Sequence, residues 1–258
     1  MSCCTSRVRR PRCSHAPLSR SAACGVVNFP RVLAASAERI LAQLPPDAVV
    51  LDIGGWAAPF ARADWVMDLQ PYETRENPRP DSERFAQATW VQRDICDHEP
   101  YPFDDKQLDF VICAQTLEDV RDPVWVCSEM NRIAKAGYIE VPSRLEEQSY
   151  GFQGPWTGWS HHRWLIDVGS GEIEFAHKPH LVNGREQDRF PPEFRQTLSD
   201  EERVSTLWWE GSFDFGERIF AGAEDLDRYT ADFVRTQMAI RGFRRPNALK
   251  RALGRIRR

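Results

Sequence analysis

Apolar positions along this chain fall in short runs separated by polar, glycine- or proline-bearing segments. In "RVLAASAERILAQL", from Arg31 to Leu44, Val32, Leu33, Ile40, Leu41 and Leu44 recur at helical spacing, and Pro45-Pro46 ends the pattern. Five apolar runs too short for helices come next: "AVVLDI" (48–53), "WVMDL" (65–69), "TWVQRD" (89–94), "LDFVICA" (108–114) and "GYIEV" (137–141). Each predicts a strand. Between the last two, "DPVWVCSEMNRIAKAG" predicts a helix, with Asp122 as N-cap, Pro123 at the first helical position and Gly137 as the stop. Strands alternating with helices predict an α/β fold: a Rossmann-like, mainly parallel sheet flanked by helices.

After Pro142 the pattern changes. "SYGFQGPWTGWSHHRW" is rich in aromatic residues and glycine. "WLIDVGSGEIEFAHKP" predicts a hairpin turning at Gly169-Ser170-Gly171, and "STLWWEGSFDFGERIF" predicts another pair of strands. "AEDLDRYTADFVRTQMAIRG" predicts a last helix, with acids in its first turn and basic residues at its end, as the helix dipole favours. The C-terminal half is thus expected to add antiparallel strands and an aromatic-rich region to the parallel core. The expected organisation is a basic, disordered tail over 1–30, one domain over 31–240 and a second basic tail over 241–258. Within the domain, 31–143 form a cofactor-binding core and 144–222 an acceptor or lid region.

Charge sharpens this division. Residues 1–37 carry six arginines and no acid, and 241–258 carry eight basic residues and no acid. The body between them sets 20 basic residues against 38 acids, a net charge of about −18. A body so acidic argues against nucleic-acid binding by the core, because phosphate contact needs basic surface. The first 25 residues lack the apolar core of a secretory signal; their composition fits a transit peptide, a disordered tail or an overlong start. No apolar run reaches the roughly 18 residues of a membrane span. In the C-terminal tail, Leu249, Leu253 and Ile256 can share a helical face that would rest on an anionic membrane surface. Cys96, Cys113 and Cys127 are widely spaced in apolar runs, no cysteine pair has zinc spacing, and no metal site is expected. These features point to a reducing compartment and a cytoplasmic protein.

The turn after the first strand, "LDIGGWAAPFARA", decides the cofactor class. A dinucleotide loop needs Gly-x-Gly-x-x-Gly for close approach to a pyrophosphate. Counting from Gly54, the second and third glycine positions hold Trp56 and Pro59. The P-loop pattern is absent, so a phosphate cradle is not expected, and a nicotinamide enzyme is disfavoured. A turn at Asp52-Ile53-Gly54-Gly55, with an acid 16 residues on at Asp68, suits a nucleoside without phosphate, such as S-adenosylmethionine. The alternative reading of such an acid is that it simply ends a strand. Only "PFARA" lies between turn and second strand, so the first crossover helix is expected to shrink to about one turn.

The later segments extend the pattern. Asp94 follows the third strand in "WVQRDICD", and "YPFDDKQLDFVICAQTLEDVRDPVWVCSEMNRIAKAGYIEVPS" follows that. Over about residues 31–143 the chain resembles the class I S-adenosylmethionine-dependent methyltransferases, in particular the "type 11" group. The likeness rests on the strand-and-turn order, on Asp52, Asp68, Asp94 and Asp109, and on the "LEDVRDP" and "EMNRIAKAG" segments. The resemblance implies S-adenosylmethionine as cofactor. It implies a methionine-side turn at Asp52, Gly54 and Gly55, a ribose acid at Asp68, an adenine-amine contact at Asp94 with Ile95 against the ring, and Cys113, Ala114 and Gln115 below the sulfonium. Trp56 and Ala58 depart from the family's turn glycines, and Asp119 stands where many relatives have histidine. An indole at Trp56 could close over the donor or block it; in the second case the chain would be a catalytically silent scaffold.

In the second half, His161 and His162 are the candidate catalytic residues, since an oxygen or nitrogen acceptor has a proton to lose. The alternative is structural, with one ring packed among Trp159 and Trp164 and the other in water. Glu118 reads as a helix cap and Cys113 also as core packing. The expected partner is a small-molecule, sugar or glycan acceptor; oligomeric state is not readable.

Overall fold

The computed structural model describes residues 31–75 and 78–245. The basic segments 1–30 and 246–258, including the Leu249, Leu253 and Ile256 stripe for which contact with a membrane surface is expected, lie outside the described residues. A helix α1 (Ala34–Gln43) leads into β1 (Val50–Ile53), β2 (Trp65–Asp68), β3 (Trp90–Gln92) and β4 (Leu108–Ala114). Helix α2 (Pro123–Ile133) then leads into β5 (Ala134–Pro142). With β8 (Val204–Glu210) these strands form one six-stranded sheet in the order β3-β2-β1-β4-β5-β8. The first five are parallel to their neighbours, and β8 runs antiparallel along β5, from Ala136 opposite Glu210 to Pro142 opposite Val204. The expected mainly parallel sheet with a C-terminal antiparallel addition is therefore present. Strand order reverses between β1 and β4, and such a switch point leaves a crevice at the carboxyl ends of the strands.

Alternation along the strands explains why both faces are covered. Leu51, Ile53, Val111, Cys113 and Ile139 point to one side, where Val126, Cys127, Met130 and Ile133 of α2 pack on them. Val50, Ile112, Ala114 and Tyr138 point to the other, against Val32 and Ile40 before and within α1. Leu41, expected on that stripe, is 54% exposed, because α1 is a short peripheral helix that needs only one narrow line of contact.

Asp122 caps α2 as expected, its side chain accepting from Trp125 N, and Pro123 opens the helix. Gly137 is not the stop: α2 ends at Ile133, β5 follows without a loop, and Gly137 sits inside β5. A Cβ there would lie 2.7 Å from the Trp209 ring and 2.7 Å from the Val111 carbonyl oxygen. The glycine makes room for a tryptophan on β8, not for a turn.

The hairpin is present as β6 (Trp164–Val168) and β7 (Glu172–His177), antiparallel across Gly169–Gly171. The next predicted pair divides: β8 joins the large sheet, while β9 (Asp214–Glu217) runs parallel to β7 in a second, three-stranded sheet. Trp164, Ile166, Ile173 and Phe175 of that sheet join the core that α2 covers. Two single-turn helices, α3 (Arg144–Glu147) and α4 (Leu181–Gly184), lie in the connections. The last helix comprises α5 (Ala223–Asp227), a π turn over Arg228–Asp232, and α6 (Phe233–Ile240). The π turn has an evident partner. Arg144 donates to the Tyr229 carbonyl at 2.6 Å and Gln148 to the Thr230 carbonyl at 3.2 Å, both from α3 or its cap. Val234 and Met238 then pack on Phe190, Phe194 and Leu198. Among the described residues no helix is long and apolar enough to cross a membrane.

No helix forms between β1 and β2; residues 54–64 make only turns and bends. What fixes this short crossover is a buried ion pair. Arg31 places one nitrogen 2.5 Å from Asp52 Oδ1 and another 2.5 Å from the Ile53 carbonyl, and the latter also reaches Thr116 Oγ1 at 3.2 Å. The other Asp52 oxygen accepts from Phe60 N at 2.8 Å. Both side chains are almost fully buried, at 7% and 0% exposure. Leaving one such partner uncompensated costs about 3–5 kcal/mol. Arg31→Met should therefore lower the unfolding free energy by about that amount in chemical denaturation. Gly137→Ala should cost roughly 1–3 kcal/mol by overpacking in the same assay, and Trp209→Leu, by vacating the space, should recover part of the loss in the Gly137→Ala background.

Candidate functional site

The crevice at the switch point is built by two turns in contact. After β1, Gly54 takes φ +73° and donates its N–H to the Met67 carbonyl on β2. A Cβ on Gly54 would stand 2.2 Å from Thr116 Oγ1, in the turn after β4. A Cβ on Gly55 would stand 2.8 Å from Asp52 Oδ2 and 2.9 Å from Val66. Both glycines are thus required by space, and the first also by its left-handed backbone. Trp56 adds its N–H to Asp68 Oδ2 at 2.9 Å, while its indole turns away to Thr74 Oγ1 at 3.0 Å.

Between the two turns opens a cavity of about 320 Å³. Of the sequence-predicted residues, Gly54, Asp68, Asp94 and Ile95 line it. Asp52 lies behind the turn, held by Arg31, and Gly55 packs against it. Cys113 and Ala114 are fully buried in the sheet below. Gln115, at φ +47°, directs its amide to Glu140 at 3.1 Å. The remaining wall includes Leu69, Cys96, Thr116, Asp119, Val120, Arg121 and Arg163. Trp56 is not part of the wall, so the indole does not fill this space.

Two of the three acids on the wall, Asp68 and Asp94, differ in character. Asp68, at the tip of β2, accepts from the backbone of Trp56 and of Gln70. Asp94 accepts from Cys96 N at 2.9 Å and pairs with Arg121 at 2.5 Å. Partial burial of Asp94 opposes its charge, but the Arg121 and Cys96 hydrogen bonds outweigh it and hold its pKa below the usual carboxylate range. Arg121 was not singled out from sequence. Its only signal was its place directly before the helix cap Asp122, which brings it back over the turn that follows β3.

At the far edge of the cavity the second half of the chain meets the first. Arg163 N donates to the Glu118 carbonyl at 2.7 Å, and the Trp164 indole donates to the Val120 carbonyl at 2.8 Å. These bonds lay the segment 161–164 along the turn after β4, and bring His161 and His162 beside Asp119. The position that lacks histidine within the "LEDV" segment therefore receives two from another part of the chain. His162 is buried, stacks on Trp159, and shares a hydrogen between Nδ1 and Glu147 Oε1 at 2.7 Å. Burial works against the charged ring, but Glu147 more than compensates and raises its pKa. Glu147, whose own burial opposes its charge, is kept below the usual range by His162 and by Lys178, 2.8 Å away. His161 is more exposed, and its pKa is lowered, chiefly by burial. Glu147 and Lys178 carried no motif and were missed. Glu118 is not a helix cap: it is buried with one carboxylate oxygen unpaired, and burial pushes its pKa up to about 8.

A cavity of this size suits a nucleoside-sized molecule. Its walls offer carboxylates at two strand tips, a ring-sized apolar contact at Ile95, and no glycine-rich cradle for phosphate. At one edge stand two imidazoles and a carboxylate.

Residues 59–139 match the family described as methyltransferase domain. The match begins after the β1 turn, where Trp56 and Ala58 depart from the family pattern. No curated protein matches the chain. Similar solved structures include a chain from an antibiotic biosynthesis pathway of Anabaena variabilis, 16% identical over 45% of this chain and 48% of that one, with a TM-score of 0.35. A SAM-dependent methyltransferase from Aquifex aeolicus is 16% identical over 42% of this chain and 64% of that one, at a TM-score of 0.31. A Haloferax volcanii chain solved in complex with the Trm112 methyltransferase activator is 15% identical over 68% of this chain and 88% of that one, at 0.41. The aligned part thus spans less than two-thirds of the Anabaena and Aquifex chains. The family match thus covers residues 59–139, less than half of the chain, and likens that stretch of the parallel sheet to a methyltransferase domain.

Proposed function

We propose that the protein transfers a methyl group from S-adenosylmethionine to a small-molecule, sugar or glycan acceptor. The observation that carries this reading is the cavity at the switch point, open between Asp68 and Asp94 and clear of the Trp56 indole. In this reading Asp68 accepts from the ribose hydroxyls, Ile95 lies against the adenine, and Asp94 meets the adenine amine beside Arg121. The Gly54 turn brings backbone close to the methionine end. Asp52 acts from behind, by holding the turn through Arg31. The scaffold alternative predicted an indole in the donor space, and the indole is elsewhere.

The transfer is a displacement at a cationic sulfur. The methyl carbon passes to the acceptor's heteroatom, the carbon–sulfur bond breaks, and its electrons leave sulfur as a neutral thioether. Such a step depends mainly on alignment and on exclusion of water. The residues at the edge of the cavity serve the acceptor: His161 and His162 help it lose its proton. The neighbouring aromatic residues of 150–164 form the surface on which an acceptor with apolar or sugar character would lie. The acidic body of the chain favours an acceptor other than nucleic acid.

Calorimetry with S-adenosylhomocysteine should give one site per chain with micromolar affinity, and Asp68→Ala should weaken it at least tenfold, as loss of a charged hydrogen bond predicts. No heat at high micromolar ligand, with a folded sample, would reject the reading. His161→Ala and His162→Ala should each leave donor affinity within threefold of the parent. In a screen of acceptors by donor turnover, the His162 variant should lose at least tenfold in kcat.

A further inference from the structure

Three potential ligands from two separate segments converge at the rim of the cavity. Asp119 comes from the turn after β4, and His161 and His162 come from the segment before β6. One oxygen of the carboxylate and one nitrogen of each ring all lie within 4.8 Å of one another. Asp119 Oδ1 is 3.8 Å from His161 Nε2 and 3.9 Å from His162 Nε2. Both separations are too long for hydrogen bonds. They are slightly wider than the roughly 3.4 Å between ligands of a tetrahedral ion with bonds of about 2.1 Å. Small side-chain rotations at the two exposed groups would close the difference; Asp119 and His161 are 43% and 57% exposed.

The third group is already aimed. His162 is 7% exposed, and its Nδ1 is 2.7 Å from Glu147 Oε1, itself 1% exposed. The other oxygen of Glu147 is held by Lys178 at 2.8 Å, and Lys178 also donates to the Trp159 carbonyl at 2.9 Å. A carboxylate so anchored accepts a hydrogen bond from Nδ1–H of the neutral ring and leaves the Nε2 lone pair facing Asp119. Carboxylate, then imidazole, then metal is the arrangement that orients histidine ligands and raises their basicity. A His162 serving only to pack against Trp159 would not need a buried Lys–Glu pair behind it.

We propose that Asp119, His161 and His162 bind one divalent transition-metal ion of the zinc class. Two imidazoles and a carboxylate suit zinc, cobalt or iron in the divalent state, whereas magnesium and calcium prefer oxygen ligands. Three protein ligands leave at least one position open, as in catalytic rather than structural sites. Asp119 is also a wall residue of the donor cavity, so the ion sits where donor and acceptor would meet. The site stands on its own geometry; its role rests on the methyl-transfer reading. In that role a hydroxyl or thiol of the acceptor takes the open position and gives its proton to solvent. The remaining lone pair forms the new bond to the methyl carbon, and sulfur keeps the electrons of the bond that breaks. Glu147 is then a positioning residue acting through His162.

The test uses the full chain, stripped with chelator and titrated with Co²⁺, with Zn²⁺ displacing it. One ion per chain with ligand-field absorption in the visible, displaced stoichiometrically by Zn²⁺, is expected. The double variant Asp119→Ala/His161→Ala changes two partly exposed side chains and should fold, as thermal unfolding will show. It should bind Co²⁺ at least tenfold more weakly, and Glu147→Gln should weaken binding about tenfold. Absence of binding at 100-fold molar excess, or affinity that the double variant leaves unchanged, would overturn the proposal. The second result would put the ion elsewhere, for instance on the cysteines of the first 24 residues. His161→Ala should bind S-adenosylhomocysteine like the parent, so loss of the metal and loss of the donor are read separately.

Discussion

The pairing of Arg31 with Asp52 is the constraint on which the site depends. A β1–β2 connection without a helix has few ways to hold its shape. Here the carboxylate at the end of β1 collects Arg31 from before α1 and Phe60 N from the far side of the turn, while Arg31 also reaches the β1 carbonyl and Thr116. Four segments distant in sequence are tied at one buried point, directly beneath Gly54. The crevice at the switch point opens beside that knot, with Gly54 and Thr116 in its wall. Asp52 thus contributes to the site by supporting the turn, and Asp68 and Asp94 by lining it.

The parallel core was readable because its signals are local. Strand runs, the Asp122-Pro123 start of α2 and the Gly169–Gly171 hairpin each need only a few neighbouring residues. The errors arose where a distant partner decides. Gly137 looks like a helix stop, but its conformation answers to Trp209 on β8. The two strands on either side of Gly211 were legible, but not that β8 joins the large sheet and β9 the small one. In the site, the acids at strand tips were legible, since parallel sheets place function there. Arg31, Arg121, Glu147 and Lys178 were not, because a salt bridge between residues far apart leaves no periodic trace.

The two halves of the chain divide the work. The sheet half forms the crevice, and the aromatic half delivers side chains to its rim. The hydrogen bonds from Arg163 and Trp164 to the turn after β4 are the seam between them. Because these use backbone carbonyls of Glu118 and Val120, the seam tolerates changes of side chain there better than changes of backbone course. Asp119, between the two anchored carbonyls, is held near the histidines by backbone bonds: those of its neighbours and its own N–H to the Thr116 carbonyl at 3.1 Å.

The π turn in the last helix has a consequence for comparing sequences. A π turn amounts to one extra residue in an α-helix, and it swings whatever follows by about a quarter turn. Val234 and Met238 reach the Phe190–Phe194 stack only because that extra residue is present. A homologue lacking it would align without a gap through Asp227, yet its apolar positions beyond would appear shifted by one. Gapless alignment would then read an unchanged helix as one that had lost its buried stripe.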